Sequence, residues 1–274
     1  MRVPRLLAFS AGAAAVLAGT LLPAGTAAAA GQNYVALGDS YSAGVGAGSY
    51  DSSSGSCSRS TKAYPQLWAN ANAPASFKFV ACSGATTGSV TSGQLSALTS
   101  TTSLASITVG GNDAGFSSVM QTCVLSSDSA CVTAVNNAKA YAQNTLPGKL
   151  DALYSAMRGK APSAHFVVLG YPHLYYLNSG FCIGLSNTKR TALNSAADAL
   201  DSTISSASSR AGFTFSDVRP IFNTHELCSG DDWLNSVTYP IGNSYHPTAL
   251  GQSSGYLPGF KNGVASALRV AAKS

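Results

Sequence analysis

Along this chain, short uninterrupted apolar runs alternate with longer stretches in which apolar residues recur every three or four positions. Tyr34-Val35-Ala36-Leu37, closed by Gly38, predicts a buried strand. Phe77 to Ala81, Leu104 to Val109 and His165 to Leu169 predict three more, and Phe213-Thr214-Phe215 a short fifth. The run His165-Phe166-Val167-Val168-Leu169 is continuous and rich in β-branched residues, as a strand covered on both faces requires. Helical spacing appears over Pro65 to Ala71 and over Leu150 to Arg158, where Leu150, Leu153 and Met157 share one stripe. It appears again over Thr188 to Ala207, with Ala192, Ala196, Leu200 and Ile204 four apart. Pro247 suits a first helical position and predicts a last helix starting there. Strands alternating with helices imply an α/β chain with a central parallel sheet between helical layers. No repeat or low-complexity linker divides residues 31–274, which are expected to form one domain.

The first thirty residues follow another pattern. A short basic start with Arg2 and Arg5 precedes the apolar run Leu6 to Leu22, and Pro23 leads into small residues ending at Ala30. This is the form of a cleaved export signal rather than a membrane anchor, so residues 1–30 are expected to be removed. Only 10% of the residues are charged, against roughly 25% in an average soluble domain; Ser, Thr, Asn and Gly carry the polarity instead. The formal charge is +5, and losing Arg2 and Arg5 leaves +3. No Lys/Arg run exists to track phosphates, so nucleic acid is not an expected partner.

Cys57, Cys82, Cys123, Cys131, Cys182 and Cys228 all follow the leader, and none forms a C-x-x-C pair. A zinc ribbon and a thioredoxin-type site therefore have no support, and no metal is expected. Three disulfides are expected in an oxidising compartment. Six cysteines allow 15 pairings, and spacing alone does not choose among them. The set Cys57–Cys82, Cys123–Cys131 and Cys182–Cys228 is the simplest, each bond stapling one local excursion.

Ligands of such folds gather outside the carboxyl ends of the strands. The first strand runs into Gly38-Asp39-Ser40-Tyr41-Ser42, the second into Cys82-Ser83-Gly84-Ala85, and the third into Gly110-Gly111-Asn112-Asp113. Ser40 is placed for nucleophilic work, although capping the next turn is the commoner task of such a serine. A serine nucleophile needs a base. Of four histidines, His165 opens a strand, His173 follows one, and His225 sits in a loop near Cys228. His246, late in the chain on Gly242-Asn243-Ser244-Tyr245-His246-Pro247, is the expected base.

Together these stretches resemble the GDSL-type lipases and esterases of the SGNH hydrolase superfamily. Gly38 to Ser42 matches the first block, with Tyr41 where many members have leucine. Gly84 fits the second block, Gly110 to Asp113 the third, and His246 the last. The six cysteines and Gly170-Tyr171-Pro172 extend the likeness to bacterial extracellular lipases and phospholipases A1. The resemblance implies a flavodoxin-like α/β/α sandwich, with Ser40 as nucleophile and His246 as base. It implies an oxyanion hole made by the N–H groups of Ser40 and Gly84 and the side-chain amide of Asn112. Glycine at 84 is expected to keep a Cβ clear of its N–H, and Asp39 to serve as scaffold. Many members carry an aspartate three residues before the histidine, where this chain has Asn243. The carbonyl of Ser244 is the expected partner of His246, with Asp231 or Asp232 second.

The implied activity is a secreted carboxylic ester hydrolase for fatty-acyl esters, with triacylglycerol or A1-type phospholipid as substrate. A lipid interface would be its transient partner, with no cofactor, as a monomer. Tyr171 to Leu177 is apolar and aromatic and would suit an acyl cleft. A carbohydrate O-deacetylase and an exported surface-binding module are the alternatives. An α/β-hydrolase elbow would need glycine at Ser42, and a dinucleotide fingerprint would need glycine at Ser49, so neither is expected.

Overall fold

A computed structural model describes residues 31–179 and 182–271; the leader reading for residues 1–30 lies outside them. Five strands form one sheet: β1 (Asn33–Ala36), β2 (Ser76–Phe79), β3 (Leu104–Ile107), β4 (His165–Leu169) and β5 (Thr214–Ser216). Their order is β2-β1-β3-β4-β5 and every pairing is parallel, the doubly wound flavodoxin-like arrangement. β3 is wholly buried and β4 nearly so, which is why these runs read as unbroken apolar segments.

Helices cover both faces. On one, Tyr64–Asn72 packs with the C-terminal helix Leu257–Ala271, which lies on β4 and β5. On the other lie Thr87–Gly93, Leu146–Lys160 and the long helix Asn187–Arg210. Leu150, Leu153 and Met157 are buried along Leu146–Lys160, so the predicted stripe is the core face. Phe213, expected to open the fifth strand, instead precedes it and stacks on Phe166 at 4.3 Å between ring centres.

Two further helices complete this side: Asp128–Asn144 packs against Asn187–Arg210, and Phe116–Leu125 packs against Asp128–Asn144. They bury little more than Val119, Met120, Cys123, Cys131, Val135 and Ala142, a stripe too small-sided to stand out in the sequence. The last helix does not start at Pro247. Pro247 forms an isolated bridge with Leu234, and helical residues begin at Ala249. Thr248 is the capping residue, its Oγ1 accepting the Gly251 N–H at 3.1 Å. The three disulfides join Cys57 to Cys82, Cys123 to Cys131 and Cys182 to Cys228.

Candidate active site

The strand order reverses between β1 and β3, the place where doubly wound sheets bind ligands. From β1 the chain passes through Gly38 into one helical turn, Ser40–Ala43. Gly38 has φ +124°, and a Cβ there would stand 2.5 Å from the Thr108 carbonyl oxygen. Glycine alone lets the turn lie this close to the end of β3. The Gln94 amide clamps Gly38, accepting its N–H at 2.8 Å and donating to its carbonyl at 2.9 Å. Ser42 ties the turn to β3, with Oγ 2.8 Å from Thr108 Oγ1.

Asp39 lies beneath the turn and is 1% exposed. Its Oδ1 accepts the Tyr41 N–H at 3.0 Å and the Thr108 hydroxyl at 2.7 Å, and its Oδ2 accepts the Tyr171 hydroxyl. Burial pushes its carboxyl up to about 6, with these hydrogen bonds pulling the other way. The same Tyr171 oxygen accepts the Gly111 N–H at 3.3 Å. One phenol thus fastens the Ser40 turn to the loop carrying Asn112.

His246 enters from the far end of the chain. Asn235 holds its carbonyl through a backbone N–H at 2.8 Å and a side-chain N–H at 2.9 Å. The Tyr41 hydroxyl donates to the preceding carbonyl, that of Tyr245, at 2.7 Å. A leucine at position 41 could not make that bond. The result is a 2.7 Å contact between His246 Nε2 and Ser40 Oγ, with Nδ1 3.0 Å from the Ser244 carbonyl oxygen. A carbonyl only accepts, so Nδ1 carries the proton and Nε2 is left to accept from the serine hydroxyl.

Burial lowers the His246 pKa to about 4, and the Ser244 carbonyl opposes the shift. With the neutral ring as the base, as the sequence motif implies, kcat/KM is expected to hold steady from neutral pH down to about pH 5 and fall through about 4. A pH–rate profile on a soluble ester checks this. Stability follows the same group: its contribution is full above the unfolded value near 6.5 and is lost as pH falls toward 4. Asp39 acts oppositely. Its raised pKa favours the folded state at low pH and costs stability as pH rises from 3.8 through about 6.

None of the nearby side-chain acids or amides meets the His246 ring. The Asn243 amide oxygen accepts the Tyr50 hydroxyl at 2.9 Å. Asp231 pairs with His225 at 3.0 Å, and Asp232 accepts N–H groups of Cys228, Ser229 and Gly230 in its own loop. Asn243→Ala, Asp231→Ala and Asp232→Ala are each expected to cost less than about tenfold in kcat. A loss of about 10³ in either aspartate variant, with normal folding, would assign the ring's partner to a carboxylate. Of the other three histidines, His165 opens β4, His173 pairs with Asp198 at 2.8 Å, and His225 stacks on Trp233.

The turns that follow β1, β2 and β3 carry three groups able to donate. The N–H groups of Ser40 and Gly84 have no acceptor among the described residues. Asn112 Nδ2 gives one hydrogen to the Ala85 carbonyl at 3.0 Å, which fixes the amide and leaves its second hydrogen. The reason for glycine at 84 differs from the expectation. A Cβ there meets nothing within 4 Å, but φ is +77°, a conformation that side-chain-bearing residues resist. Cys82, bonded to Cys57, anchors this turn by donating its N–H to the Gly38 carbonyl at 2.9 Å. Asp113 accepts the Thr87 N–H and hydroxyl at 2.9 and 2.6 Å, joining the Asn112 loop to the helix Thr87–Gly93.

A largely apolar cleft opens beside Ser40. Tyr171, Pro172 and Leu174 line it as expected, but so do Val119, Ala138, Ala142, Leu193, Ala196, Ala197 and Leu200. The two helices absent from the sequence reading therefore build much of the cleft. Tyr175, expected in its lining, is buried elsewhere, its hydroxyl 3.5 Å from that of Tyr245.

A serine and a histidine in hydrogen-bond contact at the switch point of a flavodoxin-like sheet define the serine ester hydrolases of the GDSL type. The chain matches the model of the GDSL-like lipase/acylhydrolase family over residues 36–253 and belongs to that family. It is 60% identical over 253 residues to Lipase 1 of Streptomyces coelicolor, covering 92% of this chain and 93% of that protein. The crystal structure of phospholipase A1 from Streptomyces albidoflavus superposes with a TM-score of 0.84 at 58% identity, covering 85% of this chain and 100% of that one. The extracellular lipase of Streptomyces rimosus gives a TM-score of 0.83 at 55% identity, over 85% and 99%.

Proposed function

We propose that this hydrolase is an exported, monomeric lipase that cleaves fatty-acyl esters, in triacylglycerols or at the A1 position of phospholipids. The observation that carries the reading is the Ser40–His246 contact, with Ser40 lining a largely apolar cleft. His246 Nε2 takes the hydroxyl proton as Ser40 Oγ attacks the acyl carbon, and the acyl chain lies in the cleft. The oxyanion receives hydrogen bonds from the N–H groups of Ser40 and Gly84 and from the Asn112 amide. His246 returns the proton to the departing alcohol, leaving an acyl-enzyme on Ser40. Water, deprotonated by the same nitrogen, then releases the fatty acid. The Ser244 carbonyl keeps the ring in the required tautomer throughout.

Export is supported by the leader-like residues 1–30, by three disulfides, which persist in oxidising compartments, and by the extracellular relative. A deacetylase would need only a small pocket, whereas this cleft reaches Ala142 and Leu200 on separate helices. A series of p-nitrophenyl esters from acetate to palmitate tests the reading. Each methylene that enters the cleft adds about 0.8 kcal/mol, so kcat/KM is expected to climb roughly fourfold per carbon until the cleft is full. An optimum at acetate would assign the protein to deacetylation. A fluorophosphonate should label Ser40 alone, and assays with phospholipid of defined acyl positions report whether the sn-1 ester is cut.

A further inference from the structure

The segment from Asn235 to His246 leaves the body of the protein and returns to it. Its base is closed by the Asn235 N–H on the His246 carbonyl and the Tyr245 N–H on the Asn235 carbonyl, both at 2.8 Å. Inside the loop, Ser244 Oγ accepts the Thr238 N–H at 2.9 Å and donates to the Thr238 carbonyl at 3.3 Å. The residue that presents its carbonyl to His246 thereby also braces the outer strap. At the crest of that strap, Val237, Tyr239 and Ile241 are 54%, 93% and 70% exposed. Three large apolar side chains so exposed within five residues are costly in water unless something covers them.

The surroundings indicate what does. No Asp, Glu, Lys or Arg occurs anywhere from Trp233 to Phe260, so no charge would have to be desolvated on entering an apolar phase. Tyr239, the most exposed, has the amphipathic ring that settles at the boundary between headgroups and acyl chains. The strap is also continuous with the site, ending in the histidine that contacts Ser40.

We propose that the strap carrying Val237, Tyr239 and Ile241 is an interfacial anchor, which inserts its side chains into the lipid surface from which the substrate is drawn. The inference rests on the lipid-ester reading above. The occupant is the aggregated substrate itself, an uncharged or zwitterionic lipid surface, rather than a protein. Holding the strap in the boundary layer keeps the Ser40–His246 pair at the depth where ester bonds lie.

The test combines Tyr239→Ser with Ile241→Ser. In a Ser40→Ala background, where vesicles stay intact, flotation with phosphatidylcholine vesicles measures partitioning. The double substitution is expected to lower the partition coefficient at least about tenfold. With Ser40 restored, hydrolysis of the same vesicles should fall by a similar factor. Turnover of p-nitrophenyl butyrate below its aggregation concentration should stay within about twofold of the parent. Unchanged partitioning overturns the proposal. So does a parallel loss on the soluble ester, which would make the strap a brace for His246. Lipid-free self-association of the parent, abolished by the double substitution, would assign the surface to a second copy and overturn it as well. Failure of the underlying hydrolase reading is separate: it would show as a parent inactive on the soluble ester.

Discussion

Ser40→Ala is expected to lower kcat by about 10⁶-fold while leaving the thermal midpoint nearly unchanged. The two halves of that expectation have different sources. Among the described residues Ser40 Oγ hydrogen-bonds only His246 Nε2, so its removal leaves no other buried group unpaired. The turn that carries it is held by the backbone of Gly38, the carboxylate of Asp39 and the hydroxyl of Ser42, all of which remain. Water attacking directly would still find the proposed oxyanion donors, so activity is expected to fall by about 10⁶ and not to the uncatalysed rate. Single-turnover and steady-state assays on a p-nitrophenyl ester, with calorimetry alongside, measure both halves. Residual turnover within about 10²-fold of the parent in a clean preparation would move the nucleophile elsewhere.

The second large effect is expected at Asn112. Loss of one of three oxyanion donors costs about 2.7–4 kcal/mol of transition-state stabilisation, or roughly 10²–10³ in kcat. KM should hardly move, because the ground-state carbonyl gains little from a donor placed for the tetrahedral anion. The geometry argues for a clean result. The amide is pinned by its bond to the Ala85 carbonyl, and the loop is held separately by Asp113 on Thr87 and by Tyr171 on Gly111. Asn112→Ala should therefore fold normally. An effect confined to KM would make Asn112 a substrate-binding group instead.

Much of the architecture could be read from hydrophobic pattern because the sheet is buried on both faces. β4 matches its apolar run residue for residue, and the other strands differ at their ends by one to two residues. Where the pattern failed, the burial was of another kind. Phe116–Leu125 and Asp128–Asn144 rest on a helix, not on the sheet, and alanine and disulfide sulfur fill the space that leucine fills elsewhere. Proline is common at a helix start, which points to Pro247, whereas Thr248 supplies the cap and the last helix begins two residues later. In the site, the residues proposed for chemistry were visible as small polar motifs at strand ends. The groups that hold them were not. Thr108, Gln94 and Tyr171 act across 56 to 132 residues of chain, and no local spacing encodes such a meeting. Asn243 carried a usable signal: an amide where an acid is common implied a different partner for the imidazole, and the carbonyl of Ser244 is the atom facing Nδ1.

That carbonyl has a genetic consequence. An aspartate in the same place is one base change away from asparagine, and in a Ser-His-Asp protease that exchange costs about 10⁴ in kcat. A main-chain oxygen belongs to every residue alike, so no amino-acid substitution at Ser244 removes the atom itself. The hydrolytic pair then presents two codons to inactivating mutation where an acid-based triad presents three. Position 243 is released from catalysis, and its amide is free to hold Tyr50 and the loop around it.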